Sequence, residues 1–206
     1  MEIKQAIAEL KKSEKKKFEQ TVELIVNLKG VDPKKENVSA IVVLPNQFKE
    51  KKVCGFLNAK SNLVPTITKL DFPKYKEKKE LKNLVKNYDF FIASATLMPS
   101  VATNFGKILG PAGKMPSPQL GVLMQENDNS IKDLLNKISK AVKIRMKEAS
   151  IKIAIAKENM SDDKIIENIL AVYRGLVEVL PTKKENVRSV MVKLTMSKPI
   201  KVEGLQ

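Results

Sequence analysis

The sequence has no histidine, and its 206 residues include one cysteine. The first absence removes the commonest general base, the usual activator of a nucleophile and the commonest zinc ligand together. Enzyme readings therefore start at a disadvantage. The second excludes a disulfide or a multi-cysteine metal site within the chain. Cys54 lies in the apolar run Val53-Cys54-Gly55-Phe56-Leu57 and reads as a buried thiol in a reducing compartment. No stretch approaches the ~18 consecutive apolar residues of a membrane span. The amino-terminal residues alternate apolar and charged side chains, without the apolar core of a secretory signal. The expectation is a soluble, cytoplasmic protein that does not engage membranes.

What the chain has instead is positive charge. Lys and Arg number 38 against 23 Asp and Glu, a net charge of +15 that exceeds what solubility needs. A polyanionic partner is the first inference; the plainer alternative is a general lysine bias that decorates every surface. The length suits one large domain or two small ones, each able to bury a core. The patterning favours two.

Both ends alternate. Ile3, Ala6, Ile7 and Leu10 sit at helical spacing, with Lys11, Lys12, Lys15 and Lys16 toward the carboxyl end, where the helix dipole favours cations. From Phe18 the period becomes two. Val22, Leu24, Val26 and Leu28 face one way and Glu19, Thr21, Glu23 and Asn27 the other, which predicts a strand with one wet face. Gly30-Val31-Asp32-Pro33 supplies a turn, and a second strand follows through Val38, Ala40, Val42 and Leu44. The pattern resumes after residue 148 with a strand through Ile151, Ile153 and Ile155. A helix follows from Ser161-Asp162-Asp163 to Pro181, then a strand over 187–196 whose polar face carries Ser189, Met191, Lys193 and Thr195. Four strands and two helices can close one α+β domain, with the helices on the apolar face of the sheet.

The middle alternates short apolar runs with helical patterns. Lys52 to Asn58 and Tyr88 to Ala93 read as buried strands; 75–86, 99–109 and 129–142 read as helices; Gly110 to Gly121 reads as a glycine- and proline-rich loop. That predicts a small inserted α/β domain with a mainly parallel sheet, entered near Asn46 and left near Val142. A hinge is plausible at the two chain crossings. A nucleotide site in this insert fails on spacing. A Walker loop ending at Gly113-Lys114 needs glycine at 108 and Ser or Thr at 115, where the chain has Ile108 and Met115, and no G-x-G-x-x-G is present. A rigid turn joining core elements is the better reading. Carboxylates suggest no metal centre: Asp128, Asp133, Asp162 and Asp163 look like helix-start residues, and Asp71, Asp89 and Glu126 could meet in space, although nothing in the sequence says that they do.

The terminal surface is the better candidate for function. Lysines attract phosphates as point charges, while Ser189, Thr195, Gln20 and Glu23 can pair with 2′-hydroxyls and base edges, and Phe18 or Met196 can pack on a sugar or base. Charge alone gives nonspecific binding, so the polar side chains carry the case for a particular folded RNA. Taken singly, Thr195 also fits an ordinary strand residue and Phe18 a core aromatic.

At these residues the chain resembles the ribosomal protein L-one family, over essentially its whole length. The resemblance rests on Phe18-Glu19-Gln20-Thr21-Val22-Glu23, on Gly110-Pro111-Ala112-Gly113-Lys114-Met115-Pro116-Ser117-Pro118, and on Arg188-Ser189-Val190 followed by Thr195-Met196. The short amino terminus and lysine-rich composition look archaeal. The resemblance implies a discontinuous rRNA-binding domain over 1–46 and 143–206, with a Rossmann-like domain inserted over 47–142. It implies a noncatalytic constituent of the large ribosomal subunit at the mobile exit-site stalk, monomeric when free and without cofactor or metal. Its implied partners are large-subunit rRNA, its own mRNA, whose translation it represses, and exit-site tRNA, whose release it assists. By position, Lys17, Phe18, Thr21, Glu23, Ser189, Thr195 and Met196 match the family's RNA-contacting motifs. The family usually has glycine after Thr-Met, where this chain has Ser197. A side chain there would crowd the RNA or strain a backbone that prefers φ > 0. Two rivals remain: a general nucleic-acid chaperone, marked by sequence-independent affinity, and a nucleotide-dependent α/β enzyme using the insert.

Overall fold

The computed structural model describes residues 1–12, 17–33, 36, 38–75, 77–146 and 148–204. In chain order the first elements are α1 (Ile3–Lys12), β1 (Thr21–Leu28), β2 (Ser39–Val43), β3 (Val53–Phe56), β4 (Thr66–Ile67), α2 (Lys78–Asn87) and β5 (Phe90–Ser94). There follow α3 (Met98–Ala112), β6 (Val122–Leu123), α4 (Asp128–Lys140), β7 (Ala141–Arg145), β8 (Ser150–Lys157), α5 (Asp162–Val179), β9 (Val187–Leu194) and β10 (Ile200–Val202). Contacts group the chain into two units, Met1–Lys49 with Lys140–Gln206, and Glu50–Ser139.

The first unit is built on an antiparallel sheet in the order β10-β9-β1-β8. Alternation on β1 and β9 sends Val22, Leu24, Val26, Val190, Val192 and Leu194 to one face, where they meet Ala6, Ile7 and Leu10 of α1 and Ile165, Ile169, Val172 and Leu176 of α5. The other face stays wet, as one face of an antiparallel sheet can. The expected four strands and two helices are present, but the membership of the sheet differs. β2 pairs with β7 in a separate two-stranded antiparallel ribbon, and the fourth place in the main sheet goes to β10. The first two residues of β7 fell in the expected helix 129–142, whereas the helix ends at Lys140, and the strand's last three were assigned to no element. β10 is three residues long and follows Lys198-Pro199, too short to show a period. The start of β1 is also later than Phe18, and residues 13–16 of the expected first helix lie outside the described residues.

Two irregularities shape the sheet. β8 buries Ile155 and Ala156 consecutively, because the pairing with β1 slips there: Val22 faces Ala156 and Glu23 faces Ala154. A second slip on β9 sets Asn27 opposite Ser189 but Leu28 opposite Val187, so Arg188 is the extra residue and is exposed. Both are β-bulges, which re-aim side chains that strict alternation would place elsewhere.

The second unit has a four-stranded, all-parallel sheet in the order β4-β3-β5-β6. The chain passes from β3 to one edge and then returns to β5 on the other side, giving the reversal typical of doubly wound α/β sheets. Phe56, Phe72, Phe91 and Phe105 interlock in its core, with Phe56 and Phe105 centroids 4.9 Å apart. The expected loop from Gly110 begins later, since α3 continues through Ala112 and ends at Gly113, whose φ of 70° suits a residue without Cβ. Lys114, the lysine a Walker loop would aim at phosphates, instead donates to Val85 O and Tyr88 O, both at 2.7 Å. It caps the carboxyl end of α2.

Candidate nucleic-acid interface

The two chain ends meet at one end of the wet sheet face through hydrogen bonds between side chains and main chain of segments far apart in sequence. Thr21 N–H donates to Thr195 Oγ1 at 3.1 Å, and Thr195 Oγ1 donates to Thr21 O at 3.4 Å. One residue earlier, Gln20 Oε1 accepts the Met196 N–H at 3.2 Å. Gln20 is 2 % exposed, so its amide is a structural brace and not the RNA-facing group the sequence suggested. Its own N–H donates to Glu158, tying the segment to the end of β8 as well.

This bracing leaves apolar side chains in solvent. Phe18 is 52 % exposed and Met196 is 66 % exposed, which removes the core reading of Phe18. Lys17 is exposed beside it. Ser197 closes the turn after β9: the Leu194 N–H donates to its Oγ at 2.8 Å, and its own N–H reaches Leu194 O at 3.1 Å. Among the described residues the non-glycine with positive φ is Lys183, so Ser197 sits in ordinary backbone and the expected strain is absent. Its hydroxyl is turned inward on the turn.

Register then orders the wet face into rows. Glu23 lies opposite Lys193 on β9 and Ala154 on β8, and its carboxylate is 3.9 Å from Lys193 Nζ. Such a half-exposed pair adds little stability; it sets an acceptor beside a donor. The next row is Lys201, Met191, Ile25 and Lys152, an apolar centre flanked by lysines on the outer strands. The last row is Ser189, Asn27 and Ser150, with Asn27 Nδ2 donating to Ser189 Oγ at 3.0 Å. Of the eight residues expected to form the site, Lys17, Phe18, Thr21, Thr195, Met196 and Ser197 cluster at the near end. Glu23 is one step inward, and Ser189 lies at the far end of the strands.

The other chemistry considered in the sequence does not assemble. Asp71 is held by Thr68 and Lys74, whose hydrogen bonds lower its pKa to about 2. Asp89 accepts from Lys52 N–H, and Glu126 binds Asn58. Among the described residues no group of carboxylates and thiols could hold a metal, and no helix is long and apolar enough to cross a membrane. Cys54 is 1 % exposed, and burial pushes its thiol up to about 12.

The profile of the ribosomal protein L1p/L10e family matches residues 10–198. The chain belongs to this family. It is 34% identical to the large ribosomal subunit protein uL1 of Thermoplasma acidophilum, over 98% of this chain and 96% of that one. It is likewise 34% identical to the uL1 protein of Pyrococcus horikoshii, covering 98% and 95%, and 35% identical to that of Thermococcus kodakarensis, covering 97% and 95%. Membership in the L1p/L10e family thus spans both units of the fold and both strands that meet at Thr21 and Thr195.

Proposed function

We propose that this chain is a noncatalytic constituent of the large ribosomal subunit that binds large-subunit rRNA through the outer face of the β10-β9-β1-β8 sheet. The observation that carries this reading is the junction of the chain ends. Hydrogen bonds between Thr21 and Thr195 and from the Met196 N–H to Gln20 fix a turn that holds apolar Phe18 and Met196 in solvent beside Lys17. Exposed apolar groups on a basic face suit stacking against sugars and bases, while lysines neutralise phosphates. Full-length similarity to proteins named for the large subunit supports the same assignment. In this reading Lys17, Phe18, Thr21, Glu23, Ser189, Thr195 and Met196 contact RNA, and Ser197 shapes the turn. The discontinuous domain anchors the protein on the exit-site stalk, and the inserted domain reaches tRNA leaving that site. A similar RNA fold in its own mRNA is a second ligand, through which it represses its own translation.

The test is binding to the stalk segment of large-subunit rRNA and to a scrambled RNA of equal length, across a salt series. Both affinities fall with salt through counterion release, and specific recognition leaves a gap that persists at high salt. Coincident, salt-sensitive curves would leave a general polyanion binder.

A further inference from the structure

The far end of the sheet face carries a feature that the near-end site does not use. At the bulge on β9, Arg188 is the unpaired extra residue between Val187 and Ser189. Its parity with Val190 and Val192 would send it toward the core in a regular strand, and the bulge instead leaves it exposed. It forms no ion pair among the described residues. Beside it lies a groove of about 520 Å³ lined by Asn27, Ser150, Ser189, Arg188 and Glu148, with Leu28 and Ala149 completing the wall. Ser150, Asn27 and Ser189 are the last cross-strand row, so three neutral hydrogen-bonding side chains on three adjacent strands sit next to one solvent-exposed guanidinium.

We propose that this groove is a second RNA contact, in which Arg188 takes a phosphate and the Ser150-Asn27-Ser189 row takes the adjoining ribose hydroxyls of the same RNA element. The inference rests on the rRNA reading above. Continuity argues for it: Ser189 belongs both to that site and to the groove wall. Charge argues the same way, since the path between the two ends runs past Lys193, Lys152 and Lys201. The chemistry suits a ribose-phosphate backbone. A guanidinium grips phosphate oxygens bidentately, and serine and asparagine each both donate and accept, as a 2′-hydroxyl does. The separation gives the ligand a length. Thr21 and Asn27 are six steps apart on β1, about 20 Å at strand rise, so an RNA touching both ends spans several nucleotides.

The experiment compares the intact wild-type chain with Arg188→Gln and with Asn27→Val/Ser150→Val, using the stalk rRNA segment and the scrambled RNA at several salt concentrations. Valine keeps strand propensity while removing the polar groups. The expected result is that the double variant binds the stalk segment about tenfold more weakly, with scrambled-RNA affinity unchanged. Arg188→Gln lowers both affinities and shallows the salt dependence by about one counterion. Wild-type affinities in all variants, while Thr195→Val still weakens stalk binding, would overturn the groove and leave the near-end site standing. A wild-type protein that does not distinguish the two RNAs would overturn the rRNA reading itself. Should the double variant fold poorly, a photo-crosslinker on Ser150→Cys replaces it, because buried Cys54 leaves position 150 as the reactive thiol. Cross-links to stalk nucleotides distinct from those reached from Met196→Cys support the groove, and no cross-link from position 150 refutes it.

Discussion

Asn168 holds the main chain of Asn46 with both ends of its amide: its Oδ1 accepts the Asn46 N–H at 3.1 Å and its Nδ2 donates to Asn46 O at 3.0 Å. The same Nδ2 donates to Ile155 O at 2.9 Å, so a fully buried side chain on α5 joins β8 to the segment just after β2. Burying an amide is tolerable only when its partners are supplied, and here they are. Asn168→Leu keeps the branched shape and the number of heavy atoms but leaves three main-chain groups short of partners. It should cost on the order of 3 kcal/mol in denaturant unfolding. A change within a few tenths would mean that water replaces the amide without loss.

α5 packs on β2 at a closer distance than a side chain allows. A Cβ added at Gly175 would stand 2.5 Å from Val42 Cγ2. Gly175→Ala should therefore destabilise the first unit by about 1–3 kcal/mol, although alanine is the better helix former. Combining it with Val42→Ala should recover part of the loss, since the methyl that clashes is removed. Thermal melts of the two single variants and the double variant decide it. Additive losses would show that the two residues do not share the strain.

Much of this architecture was legible because period and polarity are local signals. Val22, Leu24, Val26 and Val190, Val192, Leu194 declare their strands, and Ile165 through Val177 declare α5, with no knowledge of what lies opposite. What was not legible depends on pairing. The ribbon of β2 with β7 exists because residues 39–43 find 141–145; Ala141 and Val142 extend the helical pattern, and the three residues after them are too few to declare a strand. β4 and β6 have two residues each and show no period. At the candidate interface, residue types pointed to the wet face, but side-chain roles did not follow from type. Gln20 looked like an RNA-facing amide and is a buried brace, Phe18 fitted a core aromatic and is exposed, and Ser197 closes its turn without strain. The Arg188 bulge was invisible to a strict alternation of two.

Asp71 should make the inserted unit sensitive to acid. Hydrogen bonds from the Lys74 ammonium and the Thr68 hydroxyl lower its pKa from 3.8 to about 2. A depressed carboxylate contributes stability that is fully present above the unfolded value and is lost as pH falls through the folded one. The window is therefore about pH 4 down to pH 2. Asp71→Asn should flatten the stability-against-pH curve there while leaving the curve near pH 7 parallel to wild type. NMR titration of the Asp71 carboxyl gives the direct check, and a midpoint near 3.8 would remove the argument.

The Thr195 hydroxyl has one acceptor position to spare. It accepts the Thr21 N–H and donates its proton to Thr21 O, which leaves one lone pair of an exposed oxygen for a partner such as a ribose 2′-hydroxyl. Thr195→Val is nearly isosteric and removes this acceptor together with the bracing of β1. Stalk-rRNA affinity should fall by about 1–3 kcal/mol, roughly five- to 150-fold, with the fold retained by circular dichroism. Thr195→Ser separates hydroxyl from methyl: it restores the acceptor and should restore most of the affinity. Ser197→Gly completes the set. It deletes the acceptor for the Leu194 N–H, about 1 kcal/mol of stability, while presenting no new group to RNA. If Thr195→Val binds the stalk segment as wild type does at matched salt, the hydroxyl serves only the junction of β1 with β9, and RNA is held by Phe18, Met196 and the lysines.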